Sequence, residues 1–219
     1  MSSETKQVED SISAAPGQRG ILFVVSSPSG GGKGTLIQRV LRQLPDLCYS
    51  VSFTTRQPRE GEIDGREYFF VDRNKFAEMV ERNDFLEWAN VHGHLYGTSR
   101  HQVARDVSGG KDIILEVDVQ GAASIRQIVA DAVSVFILPP SLEVLRQRLV
   151  ARGTDSADSL AVRLNNAPTE LKAYKAFDYV IINDDVDRAA GQLSAIISAE
   201  RTRLSRQEIN IQHVVEGFL

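Results

Sequence analysis

The sequence lacks most of the features that would set it apart from ordinary globular proteins. A single cysteine, Cys48, among 219 residues permits no internal disulfide and fits a reducing compartment. No apolar run approaches the roughly 18 residues of a membrane span. The first 20 residues, "MSSETKQVEDSISAAPGQRG", lack the apolar stretch of a signal peptide. A cytoplasmic protein is therefore expected. Positive charge is not in excess: the net charge is -4 and the pI about 5.6, so neither nucleic acid nor an anionic membrane is an expected partner. The four histidines, His92, His94, His101 and His213, form no metal-binding helix motif, and Cys48 has no obvious catalytic base. There is no internal repeat. What remains is a chain with 42% hydrophobic and 25% charged residues, enough for one substantial core. A polyanionic ligand would have to be met by locally gathered arginines.

Buried strands and helices alternate along the chain. "ILFVVSS" (21–27), "DIILEVD" (112–118), "AVSVFILPP" (132–140) and "DYVIIND" (178–184) read as strands buried on both faces. "TLIQRVLRQL" (35–44) places Leu36, Val40 and Leu44 at helical spacing, with Pro45 beyond its end. "SLEVLRQRLVARG" (141–153) is a helix begun by Ser141 and ended near Gly153. A further helix follows over 159–177, with a break expected before Pro168, and another closes the domain over 185–207. Between the first strand and the second, residues 51–98 change texture. A turn-rich, β-like stretch precedes "KFAEMVERNDFLEWA", read as one amphipathic helix. The whole predicts an α/β fold with a doubly wound parallel sheet and a small α+β insertion.

The chemistry is concentrated in "VVSSPSGGGKGTLI" (24–37), where three glycines and a lysine stand between a strand and a helix. Backbone N–H groups converge on phosphate oxygens only where side chains do not intrude, hence Gly30, Gly31 and Gly32. Lys33 can reach terminal phosphates, and the helix starting near Gly34 turns its positive end toward them. The general phosphate-loop pattern G-x-x-x-x-G-K-[ST] is missed twice, by Ser27 and by Gly34. Gly34 cannot supply the usual hydroxyl ligand to Mg²⁺, so the ion is expected on nucleotide phosphates and water, with no direct protein ligand. Thr35 can bond a phosphate oxygen instead. Elsewhere, Arg56 and Arg59 lie three apart in "TTRQPR", a spacing that suits one phosphate monoester. Glu116 and Asp118 share one face at the end of a strand, and Arg148 and Arg152 share one face of a helix.

The G-K-G-T form resembles nucleoside monophosphate kinases. "SPSGGGKGT", "SVSFTTRQPREGEIDGREYFFV", "FLEWANVHGHLYGTS", "ILEVDVQG", "RLVARGT" and "VIINDD" together resemble the guanylate kinase family, in order and at compatible distances over residues 20–200. That resemblance implies transfer of the ATP γ-phosphoryl group to GMP, with Mg²⁺. It divides the chain into a leader (1–19), a core (20–52, 99–140 and 169–200), a GMP-binding insertion (53–98), a lid (141–168) and a tail (201–219).

The resemblance also assigns roles. ATP phosphates are expected on Ser27, Pro28, Ser29, the three glycines, Lys33, Gly34 and Thr35, with Asn183 toward the adenine or supporting its loop. Arg148, Arg152 and Arg163 would close over those phosphates as the lid shuts. The GMP phosphate is expected on Arg56, Arg59, Tyr68 and Tyr96. Guanine is read by Ser52, Glu87 and Thr98, the last standing where many relatives carry serine. Glu116 and Asp118 face the acceptor nucleotide, and which of them matters more stays open. Two other readings also stay open: a kinase for another monophosphate, and a scaffold domain without activity. The oligomeric state is not legible, a homodimer being one alternative.

Overall fold

The computed structural model of the protein describes residues 19–91, 93–151 and 157–219. At its centre lies β1 (Leu22–Ser26), in which every residue is buried. Phe23 and Val25 point into one apolar layer. Leu22 and Val24 point into the other. A strand with no polar face can only sit inside a sheet covered on both sides. Accordingly β1 pairs in parallel with β7 (Asp112–Glu116) and β8 (Val133–Leu138), flanked by β2 (Leu47–Tyr49) and β9 (Tyr179–Ile182), in the order β2-β7-β1-β8-β9.

Helices cover both faces. On one side α1 (Lys33–Gln43) buries Leu36, Ile37 and Val40, beside Leu193 and Ile197 of α7 (Val186–Arg201). On the other, α3 (Arg100–Ser108) and α4 (Val119–Ile128) bury Val103, Val107, Ala122 and Ile125. The doubly wound α/β architecture expected from the strand pattern is the one found. Its consequence is positional: the loops after β1 and β7 emerge side by side at the carboxyl ends of neighbouring strands, where ligands bind in such sheets.

Residues 53–99 form a second sheet of β3 (Phe53–Thr54), β4 (Phe69–Phe70), β5 (Phe85–Val91) and β6 (His94–Ser99), ordered β4-β3-β6-β5. α2 (Arg73–Glu81) packs Phe76 and Met79 onto it, with Phe76 and Phe85 rings stacked at 4.5 Å. Beyond β8, α5 (Leu142–Ala151) and α6 (Ala157–Lys172) join through Leu145, Leu149 and Ala167.

Three details depart from the sequence reading. The helix expected to run through "FLEWA" stops at Glu81, because Asn83 takes a left-handed backbone at φ 55°. Residues 85–91 then pair antiparallel with β6, so Glu87 is a strand residue. No break occurs before Pro168, which lies inside α6. Packing of Leu160, Leu164 and Ala167 on α5 holds that helix together across the missing N–H. Finally, the closing helix is two: α7 ends at Arg201, and α8 (Leu204–Glu216) begins after Arg203 turns to φ -60°, ψ 133°. β2, α3 and α4 had no counterpart in the sequence reading. The helix end expected near Gly153 lies outside the described residues.

Candidate active site

The phosphate loop follows from local geometry. Gly30 and Gly32 adopt φ of 85° and 89°, which side-chain-bearing residues avoid. Gly32 caps α1 without any side-chain hydrogen bond, so no capping side chain occupies the N–H groups of the first turn. That is an anion site by construction. Lys33 stands at the same point, its Nζ 3.7 Å from Glu116 Oε1 at the end of β7. Glu116 also accepts from the Tyr49 hydroxyl at 3.4 Å. Burial, then the Glu116 charge, push the Tyr49 hydroxyl far above its ordinary value, so it stays a donor. A Cβ at position 34 would lie 3.4 Å from both Glu116 oxygens. The space a loop hydroxyl would use thus borders a carboxylate.

The outer side of the loop is gripped from three elements. Asn183, after β9, donates to Gly31 O at 3.0 Å. Arg148 of α5 donates to Asn183 O at 2.8 Å and to Gly31 O at 3.4 Å. Arg163 of α6 donates to the Ser29 hydroxyl at 3.0 Å, while Glu170 accepts from the Ser29 N–H at 2.9 Å. Inside the loop Ser27 Oγ donates to Pro28 O at 2.9 Å, as does the Gly31 N–H.

Across the cleft, β3 and its following loop present the arginine pair. Arg56 donates to Glu62 Oε1 and Gln57 O, both at 2.8 Å. Its guanidinium stands 5.3 Å from the centre of the Tyr68 ring and 5.8 Å from that of Phe70. Glu62 Oε2 accepts the Arg59 N–H at 2.8 Å, so one carboxylate orders both arginine positions. Burial disfavours that charge, yet the bonds from Arg56 and Arg59 outweigh it and hold the Glu62 carboxyl below its ordinary range. Tyr96 of β6 packs edge-on to Tyr68 at 5.7 Å between ring centres.

Glu87 is the exceptional charge. It lies on the buried face of β5 and is only 7% exposed. Burial pushes its carboxyl up to about 7; the Thr98 hydroxyl bond opposes that shift, and the neighbouring Asp118 reinforces it. Thr98 is fully buried behind Glu87, and its hydroxyl donates to Glu87 Oε1 at 2.6 Å. Asp118 caps α4 by accepting the Gly121 N–H at 2.9 Å. An acid whose charge is made costly by burial at the wall of a cleft is a candidate functional group.

Both groups face one cleft of about 440 Å³. It is lined at one end by the phosphate loop, with Arg148, Arg163 and Asn183, and at the other by Ser52, Arg56, Arg59, Tyr68, Glu87 and Tyr96. Glu116 and Asp118 line it as well, between the two ends. Of the anticipated residues, Pro28, Gly31 and Thr98 do not line it, and Arg152 lies outside the described residues. Tyr49, Glu62 and Glu170, which hold site residues from behind, had not been anticipated, nor had the apolar lining of Ala89, Val91, Val117 and Val186. Glu62 follows Arg59 by three residues, a spacing that offered a hint. Glu170 is 141 residues from Ser29 and offered none. Among the described residues, no group of three His, Cys, Asp or Glu gathers as a metal site.

The guanylate kinase family model matches residues 19–200. The guanylate kinase of Caldanaerobacter subterraneus subsp. tengcongensis is 45% identical over 191 residues, covering 87% of this chain and 93% of the relative. That of Syntrophomonas wolfei is 49% identical over 187 residues, covering 85% and 96%. The crystal structure of guanylate kinase from Anaplasma phagocytophilum superposes with a TM-score of 0.74 at 35% identity, covering 87% and 90%. The matched span contains the phosphate loop, the arginine pair and the buried acid of the cleft, and the chain belongs to the guanylate kinase family.

Proposed function

We propose that this protein transfers the γ-phosphoryl group of ATP to GMP, giving ADP and GDP. One observation carries the proposal: a single cleft joins a phosphate loop to a second, arginine-based anion site with a buried acceptor carboxylate behind it. Two nucleotides placed there meet phosphate to phosphate. ATP phosphates lie along the loop from Ser27 to Thr35, on N–H groups such as those of Gly32, Lys33 and Gly34 at the start of α1, with Lys33 toward the transferred group. The GMP phosphate lies between Arg56, Arg59, Tyr68 and Tyr96. Glu87 accepts guanine N–H groups, and Ser52 supplies a hydroxyl to the base.

A phosphate monoester with a second pKa near ~6 is largely ionised at neutral pH, so its oxygen attacks without a general base. The difficulty is electrostatic. Two polyanions must meet in line while charge spreads over the transferring group, and preorganised cations lower that barrier. Lys33 meets this demand at the loop; Arg56 does so at the acceptor; Arg148 and Arg163 do so from the helical pair once nucleotide draws them off the loop. Arg152 joins them in the same proposal. Residues 141–168 act as the lid and 53–98 as the acceptor arm, and closing both excludes water that would otherwise hydrolyse ATP.

Mg²⁺ suits this donor set as an ion carried by the nucleotide. Gly34 brings no hydroxyl, while Glu116 and Asp118, which line the cleft, would hold the ion through its water. When bound, it neutralises phosphate charge.

A coupled assay of ADP release, run with GMP, dGMP, AMP and UMP as acceptors, tests the proposal. GMP-dependent release well above the AMP rate is expected. Equal use of AMP would overturn the base assignment, and no acceptor-dependent release would indicate a scaffold domain.

A further inference from the structure

Glycine is the poorest helix former after proline, and Gly121 sits within the first turn of α4. Its own conformation does not require it, since its φ lies outside the left-handed region. The reason lies across the layer. A Cβ built at position 121 would stand 2.6 Å from Glu87 Oε2 and 3.1 Å from Glu87 Cδ. At 2.6 Å a Cβ and a carboxylate oxygen overlap, so any side chain there displaces the end of the Glu87 carboxylate. Val117 Cβ, at 3.2 Å, leaves the added atom little room to shift instead. Glu87 is not free to retreat, for its Oε1 is held by Thr98 at 2.6 Å and the residue is 7% exposed. Gly121 meanwhile gives its N–H to Asp118, the second acid on this wall.

We propose that Gly121 is a specificity-determining residue for the base. Its missing side chain lets the Glu87 carboxylate lie flat on the first turn of α4, at the one depth from which it meets the base edge. Gly121 touches no substrate; it acts through Glu87 and is a positioning residue. The proposal rests on the guanine-reading role of Glu87. It adds that the position of this acid is set by a contact with the helix, and not by its own strand alone.

The test pairs Gly121→Ala with Glu87→Asp, whose acid is one methylene shorter and withdraws from position 121. Gly121→Ala should raise KM for GMP at least tenfold and leave KM for ATP within twofold. Discrimination against AMP should shrink in the same variant. The double variant should have a kcat/KM for GMP at least fivefold above the product of the two single effects, because the shorter acid relieves the contact. A GMP KM within twofold of the parent, or effects of the two substitutions that simply multiply, overturns the proposal. Should Gly121→Ala fail to fold, the double variant must fold and bind ATP; its failure to do so also overturns the proposal. Glu87→Gln, assayed in parallel, separates the two levels. If it uses GMP normally, the base-reading role fails. If it is impaired while Gly121→Ala is not, only the role of Gly121 fails.

Discussion

Glu170 accepts a hydrogen bond from the backbone N–H of Ser29 at 2.9 Å, tying α6 to the phosphate loop. Two helical turns earlier on the same face, Arg163 donates to the Ser29 hydroxyl at 3.0 Å. Glu170 thus fixes the loop backbone to α6 as a pivot, while Arg163 meets the side chain of the same loop residue. Glu170→Ala should therefore loosen the pivot. Hydrogen bonds to charged groups contribute about 1.5–3 kcal/mol when buried, and this partly exposed one belongs at the lower end. We expect KM for ATP to rise roughly tenfold, at about 1.4 kcal/mol per decade, with KM for GMP little changed. Glu170→Gln, which keeps an acceptor oxygen, should lie between. An unaltered ATP KM in the alanine variant would show that the tie is incidental.

Lys33→Met keeps a similar stem and removes the charge at the start of α1. Turnover should fall by several orders of magnitude, since that charge opposes what develops on the transferring group. GMP affinity, measured by calorimetry, should change little, because Arg56 and Arg59 hold the acceptor phosphate separately. The variant also leaves Glu116 without its 3.7 Å partner. Near-normal turnover would refute the phosphate-loop assignment.

Glu87 links function to stability through pH. Its folded carboxyl titrates at about 7, against 4.5 without the surrounding structure. The folded state thus binds the proton more tightly, and stability falls as pH rises from 4.5 to 7, then levels. At about 1.4 kcal/mol per pKa unit the loss approaches about 3 kcal/mol. Glu87→Gln removes it: the variant should gain up to that amount over the parent above pH 7 and nothing below pH 4.5. Denaturant melts at pH 4.5, 6 and 8 read this directly; an equal gain at all three would place the effect elsewhere.

The same substitution should lower kcat/KM for GMP roughly 10²–10⁴-fold, as a donor replaces an acceptor facing the base. In the parent, GMP binding should weaken as pH drops below 7, because the neutral acid accepts less well. A GMP affinity independent of pH between 5.5 and 8 would separate Glu87 from base recognition.

Glu62→Ala should cost GMP affinity without touching ATP. Glu62 holds the Arg56 guanidinium and the Arg59 N–H through its two oxygens. Without it both arginines pay to become ordered, and KM for GMP should rise roughly tenfold, corresponding to one charged hydrogen bond. Glu62→Gln can keep one of the two contacts and should recover part of the loss. Equal KM values in all three proteins would rule this out.

The sequence determined the parts whose signal is local. "ILFVVSS" had to be a strand covered on both faces because it offers no polar side, and three glycines before Lys33 had to be a loop open to phosphate. Arg56 and Arg59 were legible for the same reason, since the chemistry and the spacing lie within one short segment. Strand Glu87 was misplaced onto a helix because the apolar periodicity of residues 75–89 fits both forms. The left-handed turn at Asn83 decides between them.

Tertiary structure alone decided what depends on distance in space. The depth of Glu87, its bond to Thr98 and its packing on Gly121 join β5, β6 and α4, which no spacing along the chain reveals. Glu170 reaches Ser29 across 141 residues, and Asn183 reaches Gly31 across 152. α6 likewise runs through Pro168 because its contacts with α5 outweigh the broken backbone bond. Local chemistry named the groups that can bind phosphate and base. Folding set how far apart they stand, how dry they are and which of them are held still, because those are properties of packing between segments.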